Sequence, residues 1–530
     1  MDRPLKFFFG GILILCMGFG LQGQTGSPAE EFRGVWIATV NNIDYPKTPT
    51  PNSIAHEEQF KNLLHKFKSY GFNAAIVQVR PVADAFYPSE MAPWSAYLTG
   101  SQGLPPLPES DLLAFMIRQA HQNSMEFHAW INPFRAAMST NTDRLVEGHV
   151  LKKHPSWGLT YGDKLYLNPG IPEVRQHIVQ VVEELLVKYD LDAIHVDDYF
   201  YPYPIAGVPF PDSATFLQYG GGYTRIEDWR RANVDALIQL LSEKIREKKA
   251  HVKFGISPFG VWRNQERDPL GSPTRAGATS YDDLYADVVK WARMGWIDYL
   301  LPQLYWNIGY EPADYAQLLA WWARTVPDVQ LLIGQAAYKV GNNPVSTWQD
   351  PAEIGRQIQL NRSNPVVRGS AFFSANSILR NSLGLKDSLQ VYFRYPALIP
   401  AGEQSGSPVL PKAPNIKKIR NKAGNPLLVW KTDKQSPHFY YVLYRFEEKQ
   451  TDNFEDGRFI QYISPFQPSG RRMTFQDSGL ARDRIYRYVL VGADRRHQKR
   501  SSEGVQIWTD DKGFQRVKWP GSTGKISLRK

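Results

Sequence analysis

The chain has 530 residues, 42% of them hydrophobic and 13% aromatic, with 62 Lys and Arg, 52 Asp and Glu, and one Cys. That length predicts more than one domain, and the hydrophobic share excludes a disordered or fibrous chain. The charge is uneven: residues 411–530 carry 25 basic against 12 acidic side chains, a surplus of 13, while the rest nets to −3, so the basic character belongs to the C-terminal part.

Residues 1–24 read as a secretory signal. Arg3 and Lys6 form a charged end, and Phe7 to Leu21 is an apolar run too short and Gly-rich for a membrane span. Cys16 lies in this run without the small residue that a lipid-attachment site has before its Cys. The mature chain is thus expected to have no Cys, as suits an exported protein of the periplasm or cell surface of a bacterium.

From 30 to 399, strand-like and helix-like segments alternate. The strands are expected at 32–40, 73–80, 125–132, 191–198, 252–258, 297–305, 329–336 and 367–374. Helical patterns lie between them at 54–70, 111–123, 172–189, 226–249 and 280–294. Eight βα units predict an α/β fold, a TIM (β/α)8 barrel. A doubly wound open sheet is the alternative, and it would favour a Gly-rich loop after the first strand, where Val40-Asn-Asn-Ile-Asp44 stands instead. Gly220–Gly222 follows a long loop and reads as a turn. Residues 400–414, rich in Pro, Gly and Ser, read as a linker. Short strands over 415–512, including 427–430, 440–446, 459–463 and 486–493, predict a small all-β sandwich, with a basic tail at 513–530.

The most informative stretch is Leu191-Asp-Ala-Ile-His-Val-Asp-Asp-Tyr-Phe-Tyr-Pro202. It reads as a strand that ends in two carboxylates. Acids at the C-terminal end of a barrel strand are where active sites sit, although one Asp there is as often a turn or helix cap. Period-two alternation places other side chains inward at the same end: Gln78 and Arg80; His128, Trp130 and Asn132; His195, Asp197 and Tyr199; Gly255 and Ser257; Gln303 and Tyr305, then Trp306; Gly334, Ala336 and Tyr338. Such a wet pocket with stacking walls suits a sugar. His128, His195 and Asp197 are close enough to raise a metal site, but there is no His-Glu-x-x-His or paired His on the first strand. The histidines are therefore expected to hydrogen-bond within the barrel, and no metal or cofactor is expected. No nucleophile elbow is present, and no nucleic-acid partner is expected.

These residues carry a resemblance. His128-Ala-Trp-Ile-Asn-Pro-Phe-Arg135, the 191–202 stretch, Gly255-Ile-Ser-Pro-Phe-Gly-Val-Trp-Arg-Asn264, Asp268-Pro-Leu-Gly-Ser272 and Pro302-Gln-Leu-Tyr-Trp306 resemble the glycosyl hydrolase-like 10 family of exported bacterial proteins. The resemblance runs from Phe32-Arg-Gly-Val-Trp-Ile-Ala-Thr-Val40 to about Phe393. It implies a TIM-barrel glycosidase, and some relatives cleave peptidoglycan strands stripped of peptide stems. Separately, 486–494 with the 498–503 turn resembles the last hairpin of a fibronectin type III domain, which lies outside the family core.

Glycoside hydrolysis ordinarily uses two carboxyl groups. The strand-5 acid of amylase-type barrels is missing, since Ser257-Pro258 stands there, and Tyr199 stands where chitinase-type barrels carry Glu. Consecutive aspartates resemble the substrate-assisted N-acetylglucosaminidases instead. On that reading Asp197 orients the sugar's acetamide and Asp198 is the general acid, provided the chain bends at Asp198. Asp84, Glu90 and Asp268 are reserve acids. The residues expected against substrate are Arg80, Trp130, Asn132, Arg135, His195, Tyr199, Arg263, Gln303, Tyr305, Trp306 and Tyr338. The partner implied is polysaccharide, with an anionic surface for the basic C-terminal domain, which is expected to dock the enzyme and take no part in cleavage. The rival readings are a non-catalytic wall-polysaccharide-binding protein, a glycosidase for another N-acetylated or neutral polysaccharide, and a sugar-phosphate isomerase, for which 334–338 and 369–374 show no clear phosphate site.

Overall fold

The computed structural model describes residues 27–402, 413–432, 439–448, 450–467 and 472–520. The expected signal segment and most of the expected linker lie outside the described residues. No helix among the described residues is long and apolar enough to cross a membrane.

Eight parallel strands close into a barrel in sequence order. They are β1 (Phe32–Ile37), β2 (Ala74–Arg80), β3 (Glu126–Ile131), β4 (Ala193–Val196), β5 (Lys253–Ile256), β6 (Tyr299–Leu300), β7 (Gln330–Gln335) and β8 (Val367–Phe372). Buried on both faces, they are mostly apolar, interrupted by Arg33 on β1, Glu126 and His128 on β3, His195 on β4 and Lys253 on β5. The outward residues pack on helices Ser53–Ser69, Leu112–Gln122, Pro172–Lys188 and Ile226–Lys249. Asn52 and Asp111 start two of these by accepting from Ala55 N–H and Ala114 N–H, and Pro172 starts a third where its missing N–H costs nothing. The helix expected over 280–294 is shorter, Val288–Arg293, because the Asp287 side chain caps it from within that span.

Inside the barrel, Ala74, Ile76, Ala193, Leu301 and Ala371 pack with Phe32, Trp36, Trp130 and Tyr299. Tyr299 passes over β5 to reach His195 on β4 and His128 on β3, and Gly255 makes room for it: a Cβ at Gly255 would stand 1.8 Å from the ring.

The C-terminal region folds into two antiparallel sheets, one of strands Ile416–Lys422, Asn425–Lys431 and Arg472–Gln476, the other built around Tyr440–Glu447 and Ile485–Ala493. Their facing sides bury Trp430, Tyr441, Leu443, Tyr488 and Leu490. The second sheet includes Gly513–Lys518, paired with Val505–Asp510, so the start of the expected tail is a strand.

The sequence places a linker at 400–414 between this region and the barrel. In the structure the region covers the barrel's N-terminal end. Phe439 and Phe466 pack on His121, Ser124 Oγ donates to Ser464 O at 3.0 Å, and Arg495 pairs with Asp190 at 2.7 Å. His497 reaches inside the floor and donates from Nε2 to Glu126 Oε1 at 2.7 Å, both residues 1% exposed. Lys253 and His128 also donate to this carboxylate. Burial alone would push Glu126 up, but Lys253, His497 and His128 outweigh it and hold the carboxyl well below its usual range.

A chain cut after Gly402 should therefore lose solubility, because it uncovers this carboxylate, the His121 ring and the apolar side chains of Ala29 and Leu398. His497→Ala, which leaves Glu126 one donor short, should lower stability by about 1–3 kcal/mol in urea unfolding. An unchanged midpoint would show that the floor contact does not hold the domains together.

Candidate active site

β4 ends at Val196, and the chain bends at Asp198 with Phe200 N–H donating to Asp198 O at 3.1 Å. The bend resolves the alternation of a regular strand: Asp197 and Asp198 both line one groove of about 700 Å³ at the C-terminal mouth of the barrel. Its walls are Trp36, Trp130, Tyr199, Tyr203, Phe259, Tyr305, Trp306, Tyr338 and Phe373, and Arg135, Lys164 and Lys339 also line it.

Asp197 is held from several sides. Trp130 Nε1–H donates to Oδ2 at 2.9 Å, Asn132 Nδ2 lies 3.1 and 3.2 Å from the two oxygens, and Tyr199 N–H donates to Oδ1 at 3.2 Å. Arg135 stacks on Tyr199, 4.4 Å from the ring centre, and its charge favours the ionised carboxylate. Burial still raises Asp197 above its ordinary value against the pull of Arg135 and these hydrogen bonds. Asp198 goes further. Burial, and then the charge of Asp197, push it to about 6 against hydrogen bonds from Tyr203 and Gln303. Two adjacent acids in unequal surroundings separate into a proton holder and a carboxylate.

The structure brings Trp130, Arg135, Tyr199, Gln303, Tyr305, Trp306 and Tyr338 into the groove with the two aspartates. Four expected substrate contacts lie elsewhere. Arg80 follows a register shift at the end of β2, which turns it into the wall, where Nη1 donates to Asn132 O at 2.6 Å. Asn132 stands behind Asp197 as its hydrogen-bond donor. His195 points inward but one layer too deep, under Ser257 and Trp36. Arg263 pairs with Asp268 and Asp282 and stacks on Tyr281, all in its own loop. Of the reserve acids, Asp84 is buried, raised to about 6 by burial, and does not line the groove; Glu90 is on the surface near Lys188; Asp268 is spent on Arg263.

Sequence reading missed Tyr203, the donor to Asp198, and the wall built by strands Gly158–Tyr161 and Lys164–Leu167, which contributes Tyr161, Lys164 and Tyr166. Tyr203 stands one residue past the motif; its signal was the continuing run of Tyr and Pro. Lys339, whose Nζ donates to Tyr305 O at 2.5 Å, follows directly on Tyr338.

On the expectation that Asp198 is the general acid, which works protonated, kcat/KM should fall as pH rises past about 6. The Tyr203 hydrogen bond favours the charged form. Tyr203→Phe should therefore move this alkaline limb upward, by about one pH unit for a bond to a charged group. A limb that stays put or moves down would show that Asp198 does not set it.

The glycosyl hydrolase-like 10 family model matches residues 31–350. The chain is similar to glycosyl hydrolase YngK of Bacillus subtilis (strain 168), 43% identical over 498 residues that make up 92% of this chain and 95% of that protein. It is also similar to glycosyl hydrolase DigH of Escherichia coli (strain K12), 37% identical over 373 residues, 66% of this chain and 84% of that protein.

Proposed function

The chain belongs to the glycosyl hydrolase-like 10 family, and from that premise we propose that it hydrolyses glycosidic bonds in bacterial cell-wall glycan, on peptidoglycan strands free of peptide stems, with Asp197 and Asp198 as its catalytic residues. The observation that carries this reading is the unequal pair of buried aspartates in an aromatic groove. Trp and Tyr faces suit pyranose rings. Arg135, Lys164 and Lys339 suit a sugar chain whose carboxylates have been freed by loss of the stems. An exported protein meets such strands in the periplasm or at the cell surface.

The chemistry is substrate-assisted and retaining. Asp197, kept in place by Trp130 and Asn132, accepts the acetamide N–H of the sugar and turns the acetamide oxygen toward C1. That oxygen forms the new bond to C1 as the bond from C1 to the leaving oxygen breaks, and Asp198 gives its proton to the leaving oxygen. The resulting carboxylate of Asp198 then takes a proton from water, which opens the oxazolinium ring at C1. The motive for this form is the supply of acids. Besides Asp197 and Asp198, Asp163 is the one carboxylate lining the groove among the described residues, and it sits exposed on a turn beside Lys164.

Asp197→Asn and Asp198→Asn should each lose about 10²–10⁴ in turnover with unfolding unchanged. Mass spectrometry of products from intact and stem-free strands checks both the activity and the substrate. Near wild-type rates in both variants would remove the pair from the chemistry, and binding without any cleavage would favour the polysaccharide-binding alternative.

The charge of the C-terminal region fits an anionic surface. The strand pairing sets Lys418, Arg420 and Lys422 on the outward side, across from Asn425, Leu427 and Val429, and continues to Lys431 and Arg472. Among the described residues of these strands, no acid stands on this face. Changing Lys418, Arg420 and Lys422 to Glu should abolish retention on wall material at low salt while leaving cleavage of short soluble glycans unchanged, since such contacts are screened beyond about 8 Å at physiological salt. Retention that ignores both the charge reversal and salt would leave the domain as a cover for the barrel alone.

A further inference from the structure

A single file of hydrogen bonds runs up the inside of the barrel from the C-terminal domain to the groove. His497 Nε2 and Lys253 Nζ each lie 2.7 Å from Glu126 Oε1. His128 Nε2 lies 2.9 Å from Glu126 Oε2, and its Nδ1 lies 2.8 Å from Tyr299 Oη. The same Oη is 2.8 Å from His195 Nδ1, and His195 Nε2 is 2.9 Å from Ser257 Oγ. Ser257 lines the groove. Glu126, His128, Tyr299, His195 and Ser257 are each no more than 1% exposed.

The two ends of this file demand the same proton order. An ionised carboxylate only accepts, so the His128 nitrogen facing Glu126 carries the proton. With its proton on Nε2, His128 accepts at Nδ1 from Tyr299 O–H. Tyr299 has given its one proton and accepts from His195 Nδ1–H. Burial holds His195 well below its ordinary value, hence neutral, and its Nε2 is left as an acceptor. The top agrees independently. The indole N–H of Trp36, which can only donate, points at His195 Nε2 from 3.4 Å. Ser257 O–H at 2.9 Å must therefore donate downward as well.

We propose that Glu126, completed by His497 of the C-terminal domain, is a positioning residue that acts through Tyr299 and His195 to make Ser257 a hydrogen-bond acceptor at the groove, where Ser257 Oγ receives an O–H or N–H of the bound sugar. This role for Ser257 rests on the groove being the glycan site. The proton order below it does not. The C-terminal domain thereby contributes to substrate recognition through the barrel interior, in addition to covering the floor.

The test has two arms. Nitrogen-15 histidine spectra of the full chain read tautomers with no substrate present, and His195 is expected with its proton on Nδ1 and His128 with its proton on Nε2. A proton on Nε2 of His195 would overturn the proposal even if the enzyme cleaves glycan as proposed. Conversely, the expected tautomers without any glycan cleavage would count against the glycosidase reading alone. The second arm is a double-mutant cycle on stem-free strands. Ser257→Ala should raise KM about fivefold, the usual effect of one neutral hydrogen bond, with kcat little changed. Tyr299→Phe, which breaks the file in its middle, should raise KM similarly, and the double variant should be no worse than either single one. Effects that multiply to about twenty-five-fold would show that Tyr299 supports the fold without acting through Ser257.

Discussion

The barrel is organised around one buried ionised carboxylate. Taken from water unpaired, such a group costs several kcal/mol or more even after relaxation, so Glu126 survives only where donors are gathered about it. They come from β5, as Lys253, from β3 itself, as His128, and from the C-terminal domain, as His497. One requirement thus ties two strands and a second domain together. It extends upward as well. His128 needs a partner for its second nitrogen, Tyr299 supplies it, and Tyr299 reaches that place only because Gly255 lacks a side chain. Replacing such a network by apolar groups is often neutral for stability, while breaking it at one member is costly. Its retention inside this barrel is better explained by what it orients than by what it adds to folding.

The barrel strands were legible because a strand buried on both faces must be apolar almost throughout, and eight such runs separated by amphipathic helices leave few other folds. Inward placement at the strand tops followed from period two wherever the strand was regular, as at Trp130, Asp197 and Gln303. It failed at Arg80, where a register shift breaks the period. It also misjudged depth: His195 is on the correct face, but alternation carries no information about the layer along the barrel axis. Arg263 lies in a loop, where no period applies and the nearest acids, Asp268 and Asp282, decide the side chain's direction. The docking of the C-terminal domain could not be read at all. Asp494-Arg-Arg-His497 looks like a polar surface turn, and only the buried carboxylate of a strand more than 350 residues earlier in the chain gives its histidine an inside position.

The sequence also offers too many acids for one site, and the fold is what sorts them. Glu126, in the barrel floor, and Asp198, at the barrel mouth, are both buried carboxyls, yet they end as opposites. Glu126 faces Lys253 and two histidine N–H groups, and the charged form wins in spite of burial. Asp198 faces a phenol, an amide and a second aspartate, and burial together with that like charge raises it to about 6. A group held as firmly ionised as Glu126 has no proton to give and serves as an anchor for dipoles. A group poised near 6 can give its proton and take one back near neutral pH, which general acid–base work requires. Asp84 shows that a raised value alone does not make a catalyst: it too sits near 6, but its carboxyl is sealed in the wall. What distinguishes Asp198 is the conjunction of that poise with the bend after β4, which brings the carboxyl out of the strand's alternation and into the groove beside Asp197.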